Sequence, residues 1–517
     1  MKNSNILSPF EILALQSPNK LAMVIDGREY FYGEVLDKVR LIAGWMKSNI
    51  SEDVNRVGIL ASRDFLGYVS IYAAIWSGIT FVPLNPKFPV SRIKNIIERS
   101  KLGAIVYDRK NVDILDNVLS ELSESEKSLP LLLLNTALSA ELDEKPVLKY
   151  PANVDDSEGA YLMYTSGTTG KPKGILATVG NLKHYLSFKQ ERYKICSSDR
   201  LSQVFELSFD ASIFDLLMSI KHGASLFTVP ESQLLAPGRF IKESQLTLWF
   251  GVPSHIAFMD KMHLLVPDCF PDLRISIFGG EPLPVTSMRV WRLAAPNSRM
   301  DNVYGPTEAT VTCFVQECNE STPVTDSRGV MSIGMPSEGN FGAIIGSSDE
   351  FLTPGEAGEL VIAGPQVTEG YWLDKNLTEL RFRYLDHPSL GKQRWYFTGD
   401  WAFEDKNGVF HHLGRMDNQI KLSGHRVELE EIETTLREVS GSNAVAAVPW
   451  PYEQGTARGI VAFICKPGKT INEMRENIKQ ILPAYMIPRR FVIIDALPYT
   501  LNGKVDRKLL IEQLDSE

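Results

Sequence analysis

The stretch Tyr164-Thr165-Ser166-Gly167-Thr168-Thr169-Gly170-Lys171-Pro172-Lys173-Gly174 gathers hydroxyls, glycines and two lysines in one short loop. Backbone N–H groups and hydroxyls in such a loop hold phosphate oxygens, and lysines offset their charge. The chemistry this predicts is polyphosphate binding. A Walker loop requires Gly-x-x-x-x-Gly-Lys-Ser/Thr. Here Gly167 and Gly170 stand too close together, and Pro172 occupies the place of the magnesium-binding hydroxyl. A P-loop NTPase is therefore excluded.

Four further segments carry chemistry. In Asn302-Val303-Tyr304-Gly305-Pro306-Thr307-Glu308, a Gly-Pro turn brings an aromatic ring near a carboxylate. The ring can stack on a purine, and the carboxylate can ligate Mg²⁺ beside phosphates. In Tyr396-Phe397-Thr398-Gly399-Asp400, a carboxylate at a tight turn can accept both hydroxyls of a ribose. Gly414 to Glu428 packs Arg415, Asp417, Lys421 and Arg426 among glycines, which suits a hinge with partners in two domains. Asn502-Gly503 predicts a turn that presents Lys504 at a loop tip. Taken singly, each of these four also fits an ordinary solvated turn.

The elements that must position these segments follow from composition and periodicity. A chain of 517 residues exceeds one core of ordinary size, so two or more domains are expected. Its 44% hydrophobic and 23% charged residues are those of a globular protein. The net charge of −9, with no basic block, argues against a nucleic-acid partner. No apolar run approaches the roughly 20 residues that span a bilayer. The polar start predicts no leader and no membrane partner, hence a cytoplasmic location. Five cysteines without a Cys-x-x-Cys read as reduced structural thiols, and the eight histidines lack zinc spacing. His411 and His412 are adjacent, so in a strand they point to opposite faces.

Short apolar segments at Arg56–Ala61, Thr80–Leu84, Ala104–Asp108, Ala160–Thr165, Ala224–Val229, Thr247–Gly251 and Ile275–Gly279 alternate with helical periodicity. That pattern predicts parallel sheets covered by helices, with ligands at the carboxyl ends of strands. The Gly/Pro-punctuated region 330–413 predicts a small antiparallel unit, and the polar tract Ser120–Lys127 a solvated helix end or loop. Beyond it, Ile432, Leu436 and Val439 form one helical face. Ile471, Met474, Ile478 and Leu482 form another, stopped by Pro483. The fold class expected is α/β: a large N-terminal domain of parallel-rich sheets with a small β unit, then a small mobile α+β domain.

These segments, in this order, resemble the adenylation domains of nonribosomal peptide synthetases, within the adenylate-forming enzymes. Trp76 to Pro83, Gly358 to Gly364, Glu369-Gly370-Tyr371 and Leu482 to Pro488 add to the likeness, which covers nearly the whole chain. The resemblance implies an N-terminal core at about 1–414 and a mobile lid at about 415–517. It implies that Thr165, Ser166, Gly167, Thr168, Thr169, Gly170 and Lys173 hold ATP phosphates. Gly280, Glu281, Tyr304, Thr307, Asp400 and Arg415 would complete the ATP site, Tyr304 packing on adenine and Asp400 on ribose. Glu308 would bind Mg²⁺ and Asp417 would be the hinge. Lys504 would stabilise the adenylation transition state. The lid would then rotate, Lys504 would withdraw, and the Lys421 face would turn inward for thioester formation. Phe397 departs from the Arg or Lys usual there.

The same resemblance aligns Asp210 with the aspartate that pairs with a substrate α-ammonium, a charge that is costly to bury alone. It gives a pocket of Asp210, Ala211, Phe214, Phe250, Ile277, Gly279, Val303, Val311 and Thr312. Apart from Asp210 these are uncharged, and the two phenylalanines exclude a large indole. A small-to-medium apolar amino acid is implied, branched aliphatic or proline. Shapes so similar differ by only about 1–3 kcal/mol per methylene. Arg507 lies close to the end, which suggests a stand-alone enzyme loading the phosphopantetheine of a separate carrier protein. D-Alanine–carrier ligases are comparable free-standing enzymes. An acyl-CoA ligase of the same superfamily is the alternative, and an inactive binding module the remote one.

Overall fold

The computed structural model describes residues 5–134, 146–167, 172–422, 424–453, 456–499 and 505–516. Its larger part is built on two parallel-rich sheets. A nine-stranded sheet runs Met335–Pro336, Phe314–Glu317, Arg299–Tyr304, Ile275–Gly279, Leu248–Gly251, Arg200–Gln203, Ser225–Thr228, Leu21–Ile25, Arg28–Phe31. Its inner strands pair in parallel, and antiparallel pairs close both edges. A six-stranded sheet runs Leu131–Leu134, Ala104–Asp108, Arg56–Leu60, Thr80–Leu84, Gly159–Thr165, Lys173–Thr178. Only its last pair is antiparallel.

The helices between strands form for local reasons. Asp64 caps Phe65–Ser77 by accepting from the Gly67 N–H, and Gly78 ends that helix at φ 70°. Thr178 and Asn181 form a capping box that starts Val179–Tyr193. Val90–Ser100 buries Ile93, Ile96 and Ile97 on one face. One continuous core joins the two sheets through Tyr68, Tyr72 and Trp76 of the helix Phe65–Ser77.

The expected strands are present with ends displaced by a residue or so. The polar tract ends the helix Val112–Glu121 and forms the short helix Glu124–Lys127. Region 330–413 contributes most of a five-stranded antiparallel sheet in which Gly391–Glu404 pairs with Ala357–Ala363, Phe382–His387 and Phe410–Arg415. Phe397 packs in that sheet's cluster beneath the Arg383 guanidinium, 3.6 Å from the ring centre. His411 and His412 point to opposite faces, toward Thr325 and Asp400.

The small C-terminal domain has a three-stranded sheet, Val445–Pro449, Ile460–Cys465 and Arg490–Ile494. The helices Leu429–Ser440 and Ile471–Lys479 cover one face through Ile432, Leu436, Val439, Met474, Ile478 and Leu482. The helix Arg507–Ser516 covers the other through Leu510 and Leu514. A hairpin of Gln419–Leu422 and His425–Glu428 projects from this domain onto the larger one. Among the described residues no helix is long and apolar enough to cross a membrane. The five cysteines are unpaired.

The strand Arg299–Tyr304, which leads into the Gly-Pro turn, is pinned from beneath. Asp301 is fully buried, and Arg192 from the helix Val179–Tyr193 donates to both its oxygens at 2.5 and 2.8 Å. Removing one partner of a buried pair leaves an uncompensated charge. Arg192→Ala is expected to lower the unfolding free energy by about 3 kcal/mol, the low end of such losses because Arg299 remains 3.6 Å away. A urea titration of the intact chain checks this; an unchanged midpoint contradicts it.

Candidate active site

The carboxyl ends of Gly159–Thr165, Ile275–Gly279 and Arg299–Tyr304 meet at one cavity of about 140 Å³. It is lined by Thr165 and Ser166 of the phosphate loop, by Tyr304 and Thr307 of the Gly-Pro turn, and by Asp400, Arg415 and Lys421. Segments hundreds of residues apart thus converge where a doubly wound sheet places its ligand. Gly280 also lines this cavity. Gly167 and Lys173 sit beside it on the loop, and their partners are given below. Thr168, Thr169, Gly170, Lys171 and Lys504 lie outside the described residues.

Asp400 is the most heavily compensated carboxylate. Tyr304 donates its hydroxyl to Oδ2, while His412 Nε2 and Arg415 Nη1 each lie 3.1 Å from Oδ1. Burial opposes its ionisation, but Arg415 and His412 overcome that and hold it far below the usual carboxylate range. Arg415 also grips Asp417 with two bonds, 2.9 Å from Nε and 2.5 Å from Nη2. The expected ribose ligand and the expected hinge therefore share one guanidinium.

Asp210 is different. It is half-buried in the cavity wall, and its Oδ2, itself shielded from water, has no partner. Burial pushes its carboxyl up to about 6, against the pull of the Thr307 hydroxyl. An unpaired buried carboxylate oxygen facing a cavity is a place for a cation.

The apolar wall beyond Asp210 is shallower than the aligned residues imply. Ala211, Phe250, Gly279, Val311 and Thr312 line the cavity. Phe214 and Ile277 are buried outside that lining; the Phe250 ring meets Phe214 edge-on at 5.5 Å and Phe205 at 4.8 Å, and Ile277 pairs with Phe250 on the next strand. Val303 lines a second cavity instead. Phe88, Phe205, Phe209, Val252 and Tyr485 also line the wall and were not among the expected residues.

Glu308 is fully buried and lines neither cavity. Arg426 donates from Nη1 to both its oxygens at 2.8 and 3.2 Å, and Tyr371 donates its hydroxyl at 2.7 Å. Burial would raise its pKa, but Arg426 and Tyr371 lower it below the ordinary value. A hard oxygen donor that requires a positive neighbour fits Mg²⁺, and unpartnered Thr165 Oγ1 is a further oxygen nearby on the loop. The fit holds for an arrangement in which Arg426 has left.

The hairpin seals the site. Gly424, at φ 80°, donates its N–H to Glu281 Oε1 at 2.8 Å, and a Cβ there would meet Val252 at 2.9 Å. His425 stacks on Tyr485 at 3.9 Å and meets Phe209 edge-on. Lys421 lies 5.6 Å from the Tyr304 ring centre, and burial lowers its pKa against the pull of Asp400. It lines both the first cavity and the second, about 350 Å³, which runs between the domains past Glu281, Arg328, His412 and Arg507. Arg92, Tyr371, Glu428 and Glu431 had no predicted role. Each reads in sequence as a surface charge or a lone aromatic, and only the docked hairpin shows its partner.

Comparison with known proteins agrees with this geometry. Residues 10–372 match the AMP-binding enzyme family and residues 431–504 the AMP-binding enzyme C-terminal domain. The chain is 33% identical to the delta-poly-L-ornithine synthetase of Acinetobacter baumannii over 99% of its own length but 37% of that protein's. It is 29% identical to the D-alanine–D-alanyl carrier protein ligase of Bacillus licheniformis, over 97% of this chain and 98% of that one. The adenylation domain AlmE of Vibrio cholerae, solved with glycyl-adenosine-5'-phosphate, superposes with a TM-score of 0.87 at 30% identity. That match covers 100% of this chain and 99% of the other.

Asp210 must be ionised to pair with an ammonium. Protonation gains as pH falls through about 6, so the KM for an ammonium-bearing substrate is expected to rise about tenfold per pH unit below that point. Measuring KM from about pH 8 down to pH 5 tests this, and a flat profile counts against Asp210 as the partner.

Proposed function

Because this chain belongs to the AMP-binding enzyme family and is a ligase of that family, we propose that it activates a small-to-medium apolar amino acid. ATP and the amino acid would give aminoacyl-AMP and pyrophosphate, and the acyl group would pass to the phosphopantetheine thiol of a separate carrier protein. The observation that carries this reading is Asp210, a half-buried carboxylate with one shielded, unpaired oxygen, in the wall of the cavity that the phosphate loop also lines.

In the first step a substrate carboxylate oxygen attacks the α-phosphorus, and the bond to pyrophosphate breaks. Asp210 holds the ammonium, Asp400 the ribose, and Ser166, Gly167 and Lys173 the phosphates. Bound at Glu308, Mg²⁺ would offset phosphate charge. Lys504 is assigned to this step on the carried-over motif alone. In the second step the thiol sulfur attacks the acyl carbon and AMP leaves. The second cavity supports this, since it leads between the domains to Lys421. Division of the chain at about 414/415, just before Asp417, fits such an alternation. The wall closed by Phe250 sets the size limit, with a branched aliphatic side chain or proline as its upper bound. A cytoplasmic setting fits a carrier-loading ligase.

The test is ATP–pyrophosphate exchange across the proteinogenic amino acids with Mg²⁺. Exchange with one small apolar amino acid is expected, lost in Asp210→Ala, and Phe250→Ala should shift preference toward larger side chains by about 1–3 kcal/mol per methylene accommodated. Silence with amino acids, together with CoA thioester formation from a fatty or aryl acid, would instead establish the acyl-CoA ligase.

A further inference from the structure

Phe205 follows the carboxyl end of Arg200–Gln203, an inner strand of the nine-stranded sheet. Its ring lines the first cavity and meets the Phe250 ring edge-on, 4.8 Å between centres and inclined at 62°. Phe214 also meets Phe250 edge-on, from a position in the core. The Phe250 ring therefore has one aromatic neighbour in the cavity wall and another outside it. Edge-to-face pairs favour particular ring orientations. Along the strand Leu248–Gly251, Leu248 and Phe250 join one hydrophobic cluster and Trp249 the other, as residues on opposite faces do. Phe205 packs against both clusters.

The backbone beneath this ring is held on both sides. Gln203 donates its amide to the Phe205 carbonyl at 2.5 Å, and its own Oε1 accepts from the Tyr68 hydroxyl at 3.0 Å. Ser202 Oγ accepts the Phe250 N–H at 3.1 Å, which ties both rings to one strand. Glu206, the next residue, pairs with Lys87 at 2.8 Å, and Asn85 donates to Ser208 Oγ at 3.2 Å. Asn85 and Lys87 follow the strand Thr80–Leu84 of the six-stranded sheet, and Phe88 beside them lines the same cavity. An exposed ion pair adds little stability. Its effect here is positional: it clips the ends of two sheets together with an aromatic wall residue on each side.

On the amino-acid reading above, we propose that Phe205 is a further specificity-determining residue, which limits side-chain length both as cavity wall and by fixing the Phe250 ring. With the ammonium at Asp210 and the carboxylate toward the phosphate loop, the side chain is left the uncharged wall. That wall includes Phe205, Phe250, Val252 and Val311. Two crossed rings on an anchored backbone make a firm stop. Shortening Phe205 removes one ring and frees the second to turn into the vacated space, so the limit recedes by more than the atoms deleted. The substrates favoured by the native chain are those whose aliphatic side chains end at the two rings.

The experiment measures kcat/KM in ATP–pyrophosphate exchange for the unbranched series from glycine to norleucine, with the intact chain. In Phe205→Ala, selectivity for the side chain one methylene beyond the native optimum should rise at least about tenfold. Phe205→Leu should lie between the native chain and Phe205→Ala, and Phe205→Trp should move the optimum to a shorter side chain. A purely structural role would lower every substrate by one factor and leave their order unmoved, and that result overturns the proposal. Phe205→Leu keeps apolar bulk and decides the matter where Phe205→Ala fails to fold. Failure of the amino-acid reading shows separately, as absent exchange of the native chain with every amino acid. Straight-chain carboxylic acids of graded length then replace the series. Phe205→Ala should again admit a longer acid, and an unchanged length limit overturns the proposal there too.

Discussion

Glu308 cannot remain ionised at the base of this site without a positive neighbour, and in this arrangement Arg426 is that neighbour. The carboxylate is fully buried, and an isolated charge there would cost many kcal/mol. Because Arg426 belongs to the C-terminal hairpin, the charge balance of the N-terminal site depends on where the smaller domain sits. The same holds in reverse. Glu431 is met by Arg92 and the Gly167 N–H, and Glu428 by Lys173 as well as by Gln419 of its own hairpin at 2.6 Å. The ion pairs of both domains thus cross the same interface.

A second node joins two carboxylates. Arg415 bonds Asp400 with one nitrogen and Asp417 with two others, so its planar fork spans the proposed ribose ligand and the proposed hinge. A guanidinium held by two carboxylates has few orientations open to it. On the proposed roles, movement at Asp417 would be felt at Asp400, and a nucleotide competing for Asp400 would alter the hold on Asp417. Lys421, over the Tyr304 ring, lies four residues further on and completes the path into the cavity.

Periodicity placed the strands within a residue or so, since β-branched and apolar runs bounded by turns have few alternatives. The helical faces of Ile432 and of Met474 were equally plain. The order of short motifs gave the convergence of Ser166, Tyr304, Asp400 and Lys421, because each motif keeps its chemistry locally. Packing between motifs was not legible. Phe214 and Ile277 align with pocket positions yet lie outside the cavity lining, and the Phe250 ring that packs on Phe214 takes its rotamer from neighbours such as Phe205. The Arg92–Glu431 pair spans 339 residues, and nothing in either segment marks it as buried. Charge beside an apolar helical face reads as solvated until a partner is known.

An interface made of desolvated ion pairs suits a domain that must leave as readily as it arrives. Ion pairs taken out of water together come close to breaking even, unlike an apolar surface of equal size. The contacts found here are of that kind: Arg92–Glu431, Lys173–Glu428 and Arg426–Glu308, with the His425–Tyr485 stack inside the smaller domain serving mainly to shape the hairpin. A ligand that supplies the same charges can take their place for a modest difference in free energy. To carry a two-state equilibrium from nearly all one form to nearly all the other takes about 5.5 kcal/mol of differential binding. An interface near break-even keeps small the part of that figure that any ligand would have to overcome.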